Sequence, residues 1–295
     1  MKAEVLKYEA FTENPGKGNP AGVVLHGDHY TEEEMQRIAE IAGYSETSFI
    51  RNSEAADLEL RYFTPGHEMN LCGHATVASL YALCEKGRLE IGKTYSIQTK
   101  AGILPANISE KEGRIHITLE QAAPKFKPFT GDREKLADAL GITAEDFHED
   151  LPIVFGSTGI WTAIIPLKSL EASKKMVPNN KQFPEVLVDL PKASVHPFTF
   201  ETIHSDSDLH GRHFSSPYSG TIEDPVTGTA SGVMGAYMQQ YGRSGQRTFI
   251  IEQGQEMGKD GRVEIEINGE NDHVKVNMTG TAVYSETRIL EISYG

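Results

Sequence analysis

The chain of 295 residues is 38% hydrophobic and 24% charged, which is the composition of a globular protein with one or two domains. Its formal net charge of −14 disfavours nucleic acid and anionic membrane surfaces as partners, because both are themselves negatively charged. Two cysteines exclude a secreted disulfide scaffold, and the lack of an apolar leader or of any run of about 18 apolar residues predicts a cytoplasmic protein.

The first part of the chain predicts strands around one clearly marked helix. Thr31 and Glu34 have the spacing of a capping box, and Gly43 follows the last apolar residue of the helical face, so we expect a helix between Thr31 and Gly43. Alternating apolar residues predict the strands on either side. These strands are expected at residues 5–11, 22–25, 47–50, 57–63, 94–99 and 114–119.

The second part repeats this mixture after a segment that we interpret as a linker. Gln121–Thr130 contains two prolines, which disfavour both a helix and a central strand. The elements expected after it are a helix at residues 132–140 and strands at residues 161–166, 248–251, 263–267 and 273–278. The two expected domains are therefore residues 1–121 and 122–279.

Short motifs recur in the same order in both halves, which indicates internal duplication and two pseudo-symmetric domains. The matching features are Arg61 and Arg212, Gly73 and Gly228, residues 18–25 and 159–166, and residues 98–102 and 251–254. Gly73 and Gly228 each open a helical stretch. These stretches are expected to end at the C′ glycines Gly87 and Gly242.

The first candidate for chemistry is Glu46, which stands between the predicted end of a helix and an apolar strand. A carboxylate at such a junction can point into a cleft, where partial burial raises its pKa toward neutrality and suits it to general acid–base catalysis. On spacing alone, a surface glutamate in a turn is the more common interpretation.

Residues 71–76 and 223–230 are two further candidates, because each places small residues where a helix begins. The backbone N–H groups of a first helical turn form an anion site. His74 can donate a hydrogen bond or shuttle a proton, and Asp224 precedes a proline that holds its backbone extended. Taken singly, a packed histidine and an Asp-Pro turn with an N-cap are the more common interpretations.

Duplication favours the functional interpretation of these helix starts. Pseudo-twofold symmetry predicts that they face each other across a cleft, with His74 and Thr229 on opposite sides of a bound carboxylate. Thr227 offers a second hydroxyl at the same helix start.

The remaining signals are weaker. Residues 16–19 lack the spacing of a phosphate-binding loop, and no G-x-G-x-x-G follows a predicted strand, so a nucleotide site is unsupported. His204, His210 and His213 are close in sequence but belong to a polar, loop-like segment. We therefore predict no metal site there or elsewhere.

As a set, these residues resemble one known family. The motifs at residues 11–12, 18–21, 35–39, 45–49, 61–65, 71–76 and 223–230 are similar to those of the phenazine-biosynthesis PhzF-like proteins, in the right order over nearly the whole chain. One position departs from the pattern. Thr229 stands where a serine is expected, which keeps the hydroxyl and adds a methyl group.

The resemblance implies an α/β, diaminopimelate-epimerase-like fold with two pseudo-symmetric domains, each a β-barrel-like sheet around a central helix. It implies that a C-terminal strand at about residues 280–295 returns to the first domain. It also implies a homodimer that needs no cofactor and acts on a small-molecule carboxylate. The residues assigned to catalysis are Glu46, His74 and Asp224, and those expected to bind substrate are Asn19, Gly73, Ala75, Thr227, Gly228 and Thr229.

The expected function is an isomerase that moves a proton within a small, cyclic or unsaturated carboxylate through Glu46. Related racemases use a pair of thiols, and Cys72 resembles the first of them. The repeat places Thr227 at the second position, and its alcohol is far too weak a base for this role. An epimerase that uses Glu46 with another base and a non-catalytic small-molecule binding protein remain as alternatives.

Overall fold

The computed structural model describes residues 2–242, 245–269 and 274–292. Contacts divide the chain into two compact units. The first contains the described residues of Met1–Glu120 and Thr279–Gly295, and the second contains those of Gln121–Met278. Two of the strands expected from the sequence extend beyond the described residues, one at residue 273 and the other at residues 293–295.

Helices make up a minor part of both units. The α-helices are α1 (Glu32–Ala42), α2 (Gly73–Glu85), α3 (Arg133–Leu140), α4 (Leu170–Lys175), α5 (Phe183–Val186) and α6 (Gly228–Tyr241). Short 3-10 helices occur at Gly27–His29, Ala144–Asp146, Asn180–Gln182 and Gln255–Met257. In the described part of the chain, no helix is both long enough and apolar enough to cross a membrane.

Strands form the larger part of the structure. Those up to residue 120 are β1 (Lys2–Ala10), β2 (Asn19–Val24), β3 (Glu46–Arg51), β4 (Leu58–Phe63), β5 (Glu68–Met69), β6 (Thr94–Thr99), β7 (Gly102–Lys111) and β8 (Arg114–Glu120). Those after it are β9 (Lys125–Pro128), β10 (Val154–Ser157), β11 (Trp161–Pro166), β12 (Ser194–Thr199), β13 (Leu209–Gly211), β14 (His213–Phe214), β15 (Glu223–Asp224), β16 (Thr248–Gln253), β17 (Gly261–Asn268), β18 (Lys275–Gly280) and β19 (Ala282–Glu291).

The first unit is a mixed sheet that packs against α2. Strand β1 lies antiparallel to β2 on one side and to β19 on the other. The pairs β2–β3 and β4–β6 are parallel, while β3–β4, β6–β7 and β7–β8 are antiparallel. Helix α2 contacts β1, β2, β3, β8 and β19. Its residues from Ala75 to Leu80 are all buried, as expected of a helix with apolar and small residues on most faces.

Helix α1 forms where the sequence predicts it. Both hydrogen bonds of the capping box join Thr31 and Glu34, and Gly43 ends the helix in the left-handed conformation with φ 68°. The apolar face of α1, which includes Met35 and Ile38, is buried.

The second unit repeats this architecture around α6. Strands β10–β11 and β16–β17 are antiparallel, and β11–β12 and β13–β16 are parallel. Helix α6 contacts β10, β11, β16 and β17.

The segment of residues 121–130, interpreted from the sequence as a linker, contains a strand that the sequence did not predict. Within that segment β9 lies antiparallel to β10, with Pro128 opposite Val154 and Lys125 opposite Ser157. The prolines are compatible with this strand because Pro128 is its last residue and Pro124 lies before its start, so that neither interrupts the centre of the ladder.

The two central helices end differently. Gly87 follows α2 in the left-handed conformation with φ 68°, as the sequence predicts for a C′ glycine. Gly242 directly follows α6 but is extended, with φ −75° and ψ 158°, so the prediction of a C′ glycine there is wrong. A glycine is needed for another reason, because a Cβ at residue 242 would lie 2.4 Å from the Met238 carbonyl oxygen.

Both units carry the same buried arginine–glutamate pair. In the first unit Arg61 donates to both carboxylate oxygens of Glu68, each at 2.7 Å. In the second unit Arg212 donates to those of Glu223, at 2.8 and 2.9 Å. Each guanidinium also lies over a phenylalanine ring two residues further along the chain. The repeated Arg-x-Phe motif therefore corresponds to one side-chain arrangement that occurs twice.

Candidate functional site

Glu46 is the first residue of β3 and lies beside the start of β2. The two strands are parallel, and Ala21 stands opposite Glu46. The Glu46 side chain is only 16% exposed, so it is not the surface turn residue that its spacing alone suggested. Asn19, which begins β2, is also buried.

His74 is the second residue of α2, and it meets Glu46 directly. The distance from His74 Nε2 to Glu46 Oε2 is 3.1 Å. The thiol of Cys72, the N-cap residue, also lies against the ring, with 3.4 Å between Sγ and His74 Nδ1 and 3.9 Å between Sγ and Nε2. The start of α2 thus brings together two residues that the sequence assigned to catalysis and a thiol to which it gave no role.

Glu46 retains an unused acceptor. Oε2 is buried, and among the residues that the structure describes it accepts no hydrogen bond. It lies 3.1 Å from His74 Nε2, which is the distance of an ion pair, but the contact lacks the geometry of a hydrogen bond. This carboxylate oxygen is therefore paired with His74 by charge and not by a well-aligned hydrogen bond.

The expected rise in the pKa of Glu46 is not found. Burial raises the pKa, but the positive charge of His74 outweighs burial and lowers the pKa below its ordinary value of 4.5. Sequence reasoning counted the burial of the carboxyl group and missed its cationic neighbour. The carboxyl group is consequently ionised at neutral pH.

His74 is the cationic partner in this pair. Burial lowers its pKa, but the Cys72 sulfur and the Glu46 carboxylate outweigh burial and hold the pKa well above 6.5. Burial also raises the pKa of the Cys72 thiol, so the thiol is neutral at neutral pH. Hydrogen bonding with the Cys72 sulfur and the charge of the Glu46 carboxylate therefore both favour the imidazolium.

Two hydroxyl groups fix the start of α2. Thr76 Oγ1 donates to the Cys72 carbonyl at 2.7 Å and lies 2.7 Å from the hydroxyl of the buried Tyr62. Cys72, the N-cap residue, makes no side-chain capping hydrogen bond at the positive end of the helix, where Gly73 and Ala75 lie. Binding of a substrate anion there stays a prediction.

The second unit places Asp224 and Thr227 together at the start of α6. Thr227 Oγ1 donates a short hydrogen bond to Asp224 Oδ2. Gln253, in the repeat segment 251–254, joins both residues. Its amide donates to the Asp224 carbonyl at 2.8 Å, and its Oε1 accepts from the Thr227 N–H at 3.2 Å. The repeat marked this segment, but nothing in the sequence gave Gln253 a role.

Gly228 and Thr229 are held through their backbone carbonyls. Gln121 Nε2 donates to the Gly228 carbonyl at 3.1 Å, and Thr158 Oγ1 lies 3.1 Å from the Thr229 carbonyl and 2.6 Å from Gln121 Oε1. No sequence pattern pointed to Gln121 or Thr158, because their contacts join segments that are distant along the chain.

In the second unit, the position equivalent to Glu46 is held by a residue that the sequence did not single out. Ala21 and Thr162 are equivalent in the matched segments 18–25 and 159–166, and the residues opposite them in the parallel strands are Glu46 and Ser194. Ser194 therefore occupies the position of the carboxylate in the second unit. Thr227 and Thr229 occupy those of Cys72 and His74.

The three clustered histidines do not share a site. His210 lies between Glu252 and Glu256, at 2.8 and 2.9 Å, His213 contacts His196, and His204 faces Asp260. In the ranges that the structure describes, the one group with the geometry of a metal site is Glu46, Cys72 and His74, with one ligand atom of each within 4.8 Å of the others.

Comparison with known proteins identifies relatives over the full length. The family model PhzC-PhzF, described as phenazine biosynthesis-like protein, matches residues 8–288. The uncharacterized isomerase YfhB of Bacillus subtilis (strain 168) is 87% identical over 291 residues, which are 99% of each chain. The trans-2,3-dihydro-3-hydroxyanthranilate isomerase of Pseudomonas aeruginosa is 29% identical over 95% of this chain and 96% of its own.

Solved structures agree with this result. The crystal structure of a Bacillus anthracis phenazine biosynthesis protein of the PhzF family superposes with a TM-score of 0.96 at 50% identity, over 99% of this chain and 100% of the other. A probable proline racemase from Agrobacterium radiobacter K84 shares the fold, with a TM-score of 0.64 at 12% identity over 99% and 93% of the two chains. The predicted α/β fold of the diaminopimelate-epimerase type is confirmed.

Proposed function

The chain belongs to the phenazine biosynthesis-like PhzC-PhzF family and is an isomerase, and we propose that it moves a proton between two carbon atoms of a small unsaturated carboxylate. Glu46 is the acid–base group in this proposal. The observation that carries it is the buried Glu46 carboxylate, which lies 3.1 Å from His74 at the start of α2.

The lowered pKa of Glu46 supports the class of substrate that we propose. A carboxylate with such a pKa is a weak base, so it removes a proton only from a carbon that a conjugated π-system and an electron-withdrawing group have made acidic. The carboxylic acid that results is a correspondingly strong acid, and it readily returns the proton to a second carbon of the delocalised intermediate. A cyclic diene carboxylate meets both conditions.

His74 supports this cycle as a fixed positive charge. Its imidazolium lies 3.1 Å from the carboxylate, and it stabilises the negative charge that passes to the substrate when Glu46 becomes neutral. The N-terminal end of α2 supplies a second source of positive potential for a substrate carboxylate. In this proposal no cofactor takes part. The catalytic role of Asp224 and the binding roles of Asn19, Gly73, Ala75, Thr227, Gly228 and Thr229 remain predictions from the family resemblance.

Proton exchange in D₂O tests the proposal. Cyclic and acyclic unsaturated carboxylates, trans-2,3-dihydro-3-hydroxyanthranilate among them, are incubated with the protein and followed by proton NMR. We expect a product with a shifted double bond, and Glu46→Gln lowers its rate of formation by roughly 10²–10⁴-fold, the usual contribution of a positioned acid or base.

The matched control is Ser194→Ala, at the equivalent position of the second unit. It is expected to keep most of the rate. Full activity in Glu46→Gln would remove Glu46 from the mechanism. Inversion at one carbon with solvent deuterium incorporated would instead identify an epimerase, and binding without any exchange would identify a non-catalytic binding protein.

A further inference from the structure

We propose that Glu46, Cys72 and His74 also form a binding site for a soft divalent cation such as Zn²⁺, and that this cation inhibits the isomerase. The site would act against the reaction and would not serve it as a cofactor.

The ligand types fit such a cation. A cysteine sulfur, an imidazole nitrogen and a carboxylate oxygen are the usual protein ligands of Zn²⁺. Hard cations such as Mg²⁺ and Ca²⁺ prefer several oxygen ligands, and of these three residues only Glu46 offers one. The site should therefore discriminate in favour of zinc, cobalt or cadmium.

The distances also fit. His74 Nε2 lies 3.1 Å from Glu46 Oε2 and 3.9 Å from Cys72 Sγ. With the usual zinc bond lengths, the ligand atoms of a tetrahedral site stand about 3.3–3.6 Å apart. The three ligand atoms lie within 4.8 Å of one another, so side-chain rotations bring them to that geometry, and binding releases to solvent the protons that the Cys72 thiol and the His74 imidazolium carry.

The carboxylate provides an independent indication of a ligand. Oε2 of Glu46 is buried and accepts no hydrogen bond within the described ranges; its 3.1 Å contact with His74 Nε2 lacks hydrogen-bond geometry, although a buried carboxylate oxygen normally accepts such a bond. A cation at the centre of the three side chains satisfies this oxygen. Three protein ligands leave a fourth position for water, as in catalytic zinc sites.

Inhibition follows from the proposed function. A bound cation uses the lone pairs of Glu46 with which the proposed mechanism removes a proton from the substrate. Cation binding itself depends only on the three side chains, so the two ideas can fail separately. The second unit, with Ser194, Thr227 and Thr229 at the equivalent positions, offers no soft ligand.

Cobalt is the probe for the first experiment, because Co²⁺ substitutes for Zn²⁺ and shows an absorption band when sulfur is a ligand. The full-length protein is stripped of metal and titrated with Co²⁺, and then with Zn²⁺ by calorimetry. We expect one cation per chain and a sulfur-to-cobalt band. The band is lost in Cys72→Ser and kept in Cys84→Ser, which removes the other thiol from the same helix.

Two further variants guard against a folding artefact. Glu46→Gln and His74→Asn keep the thiol, and each should weaken Zn²⁺ binding by at least the roughly tenfold that loss of an outer-sphere partner costs. Circular dichroism confirms that each variant is folded. The site is refuted if the wild-type protein shows no sulfur-to-cobalt band, or if the band survives in a folded Cys72→Ser protein.

Activity separates this proposal from the proposed function. Zn²⁺ at saturation is expected to abolish isomerisation in the wild-type protein and in Cys84→Ser. Cobalt binding through Cys72 without any inhibition by Zn²⁺ would keep the site but overturn its inhibitory role and the role of Glu46. Loss of rate in Glu46→Gln without any cation binding would refute the site and leave the proposed function in place.

Discussion

The two units share a scaffold but differ in the groups that can ionise. Both have a bidentate arginine–glutamate pair, and its glutamate lies in the short strand that precedes the central helix. At the start of that helix the first unit places Glu46, Cys72 and His74, whereas the second has only hydroxyl groups at the equivalent positions. Both copies thus keep the residues that shape the helix start, while a carboxylate, a thiol and an imidazole occupy the three equivalent positions in the first copy only.

The largest expected difference between the units is at the paired positions 74 and 229. His74→Asn removes the imidazolium and should lower kcat by roughly 10²–10⁴-fold, as for other groups that stabilise charge in a transition state. Thr229→Val removes one neutral hydroxyl and should mainly raise KM, by about tenfold, the equivalent of one hydrogen bond. Steady-state kinetics measures kcat and KM for both variants. An equal loss of kcat in the two would contradict different roles for positions 74 and 229.

The arginine–glutamate pairs should differ in their contributions to stability. Arg212→Met leaves Glu223 without its partner and also removes the donor to the Ser173 carbonyl, 2.7 Å away, so we expect a loss of about 3–5 kcal/mol. Arg61→Met should cost less, about 1–3 kcal/mol, because Lys100 still neutralises Glu68.

Urea unfolding followed by circular dichroism compares these two variants. A larger loss for Arg61→Met than for Arg212→Met would show that the two scaffolds are not energetically alike.

The pH dependence of stability offers a third comparison. The pKa of Glu46 is lowered from 4.5, so its contribution is present above pH 4.5 and is lost as the pH falls through the folded-state pKa. The pKa of His74 is raised from 6.5, so its contribution is complete below pH 6.5 and is lost as the pH rises through the folded-state pKa. The pair therefore stabilises the fold most between these two values.

Thermal unfolding of the wild-type protein and His74→Asn at several pH values tests this predicted pH dependence of stability. The difference in unfolding free energy should be about 1.5–3 kcal/mol between pH 4.5 and 6.5 and shrink outside that window. A difference that does not change with pH would mean that the two groups are not charged partners.

The smallest effects are expected at the ends of the central helices. Gly87→Ala places a side chain in the left-handed region but in open space, at a cost of about 1–2 kcal/mol. Gly242→Ala forces a Cβ toward a backbone oxygen at 2.4 Å and should cost somewhat more, about 1–3 kcal/mol. Melting temperatures rank the two, and the reverse order would show that the α6 terminus relaxes freely.

Local signals predicted local structure well. The capping box at Thr31 and the left-handed Gly43 were readable because every interaction that defines α1 lies within one segment. The two helix starts were marked by their glycines and their repeat. The strand at Lys125–Pro128 was missed because the rule about prolines ignores where in the strand they fall.

The electrostatics of the site could not be predicted from the sequence. The sign of the Glu46 pKa depends on His74, which lies 28 positions further along the chain and meets it through the packing of α2 on the sheet. Ser194 was equally hidden, since its equivalence with Glu46 is visible only in the register of parallel strands. Gln253 and Gln121 act through backbone carbonyls, for which no residue pattern exists.

The pairing of β1 with β19 has a consequence for how the protein is made. Lys2 stands opposite Glu291, so β1 lacks this neighbour until all the residues between them and β19 itself have been translated. At about 5–20 residues per second, this delay lasts many seconds, during which the hydrogen-bonding edge of β1 needs protection. The second unit, which is continuous along the chain, can fold in that interval. Truncated products of translation therefore cannot complete the sheet that holds Glu46.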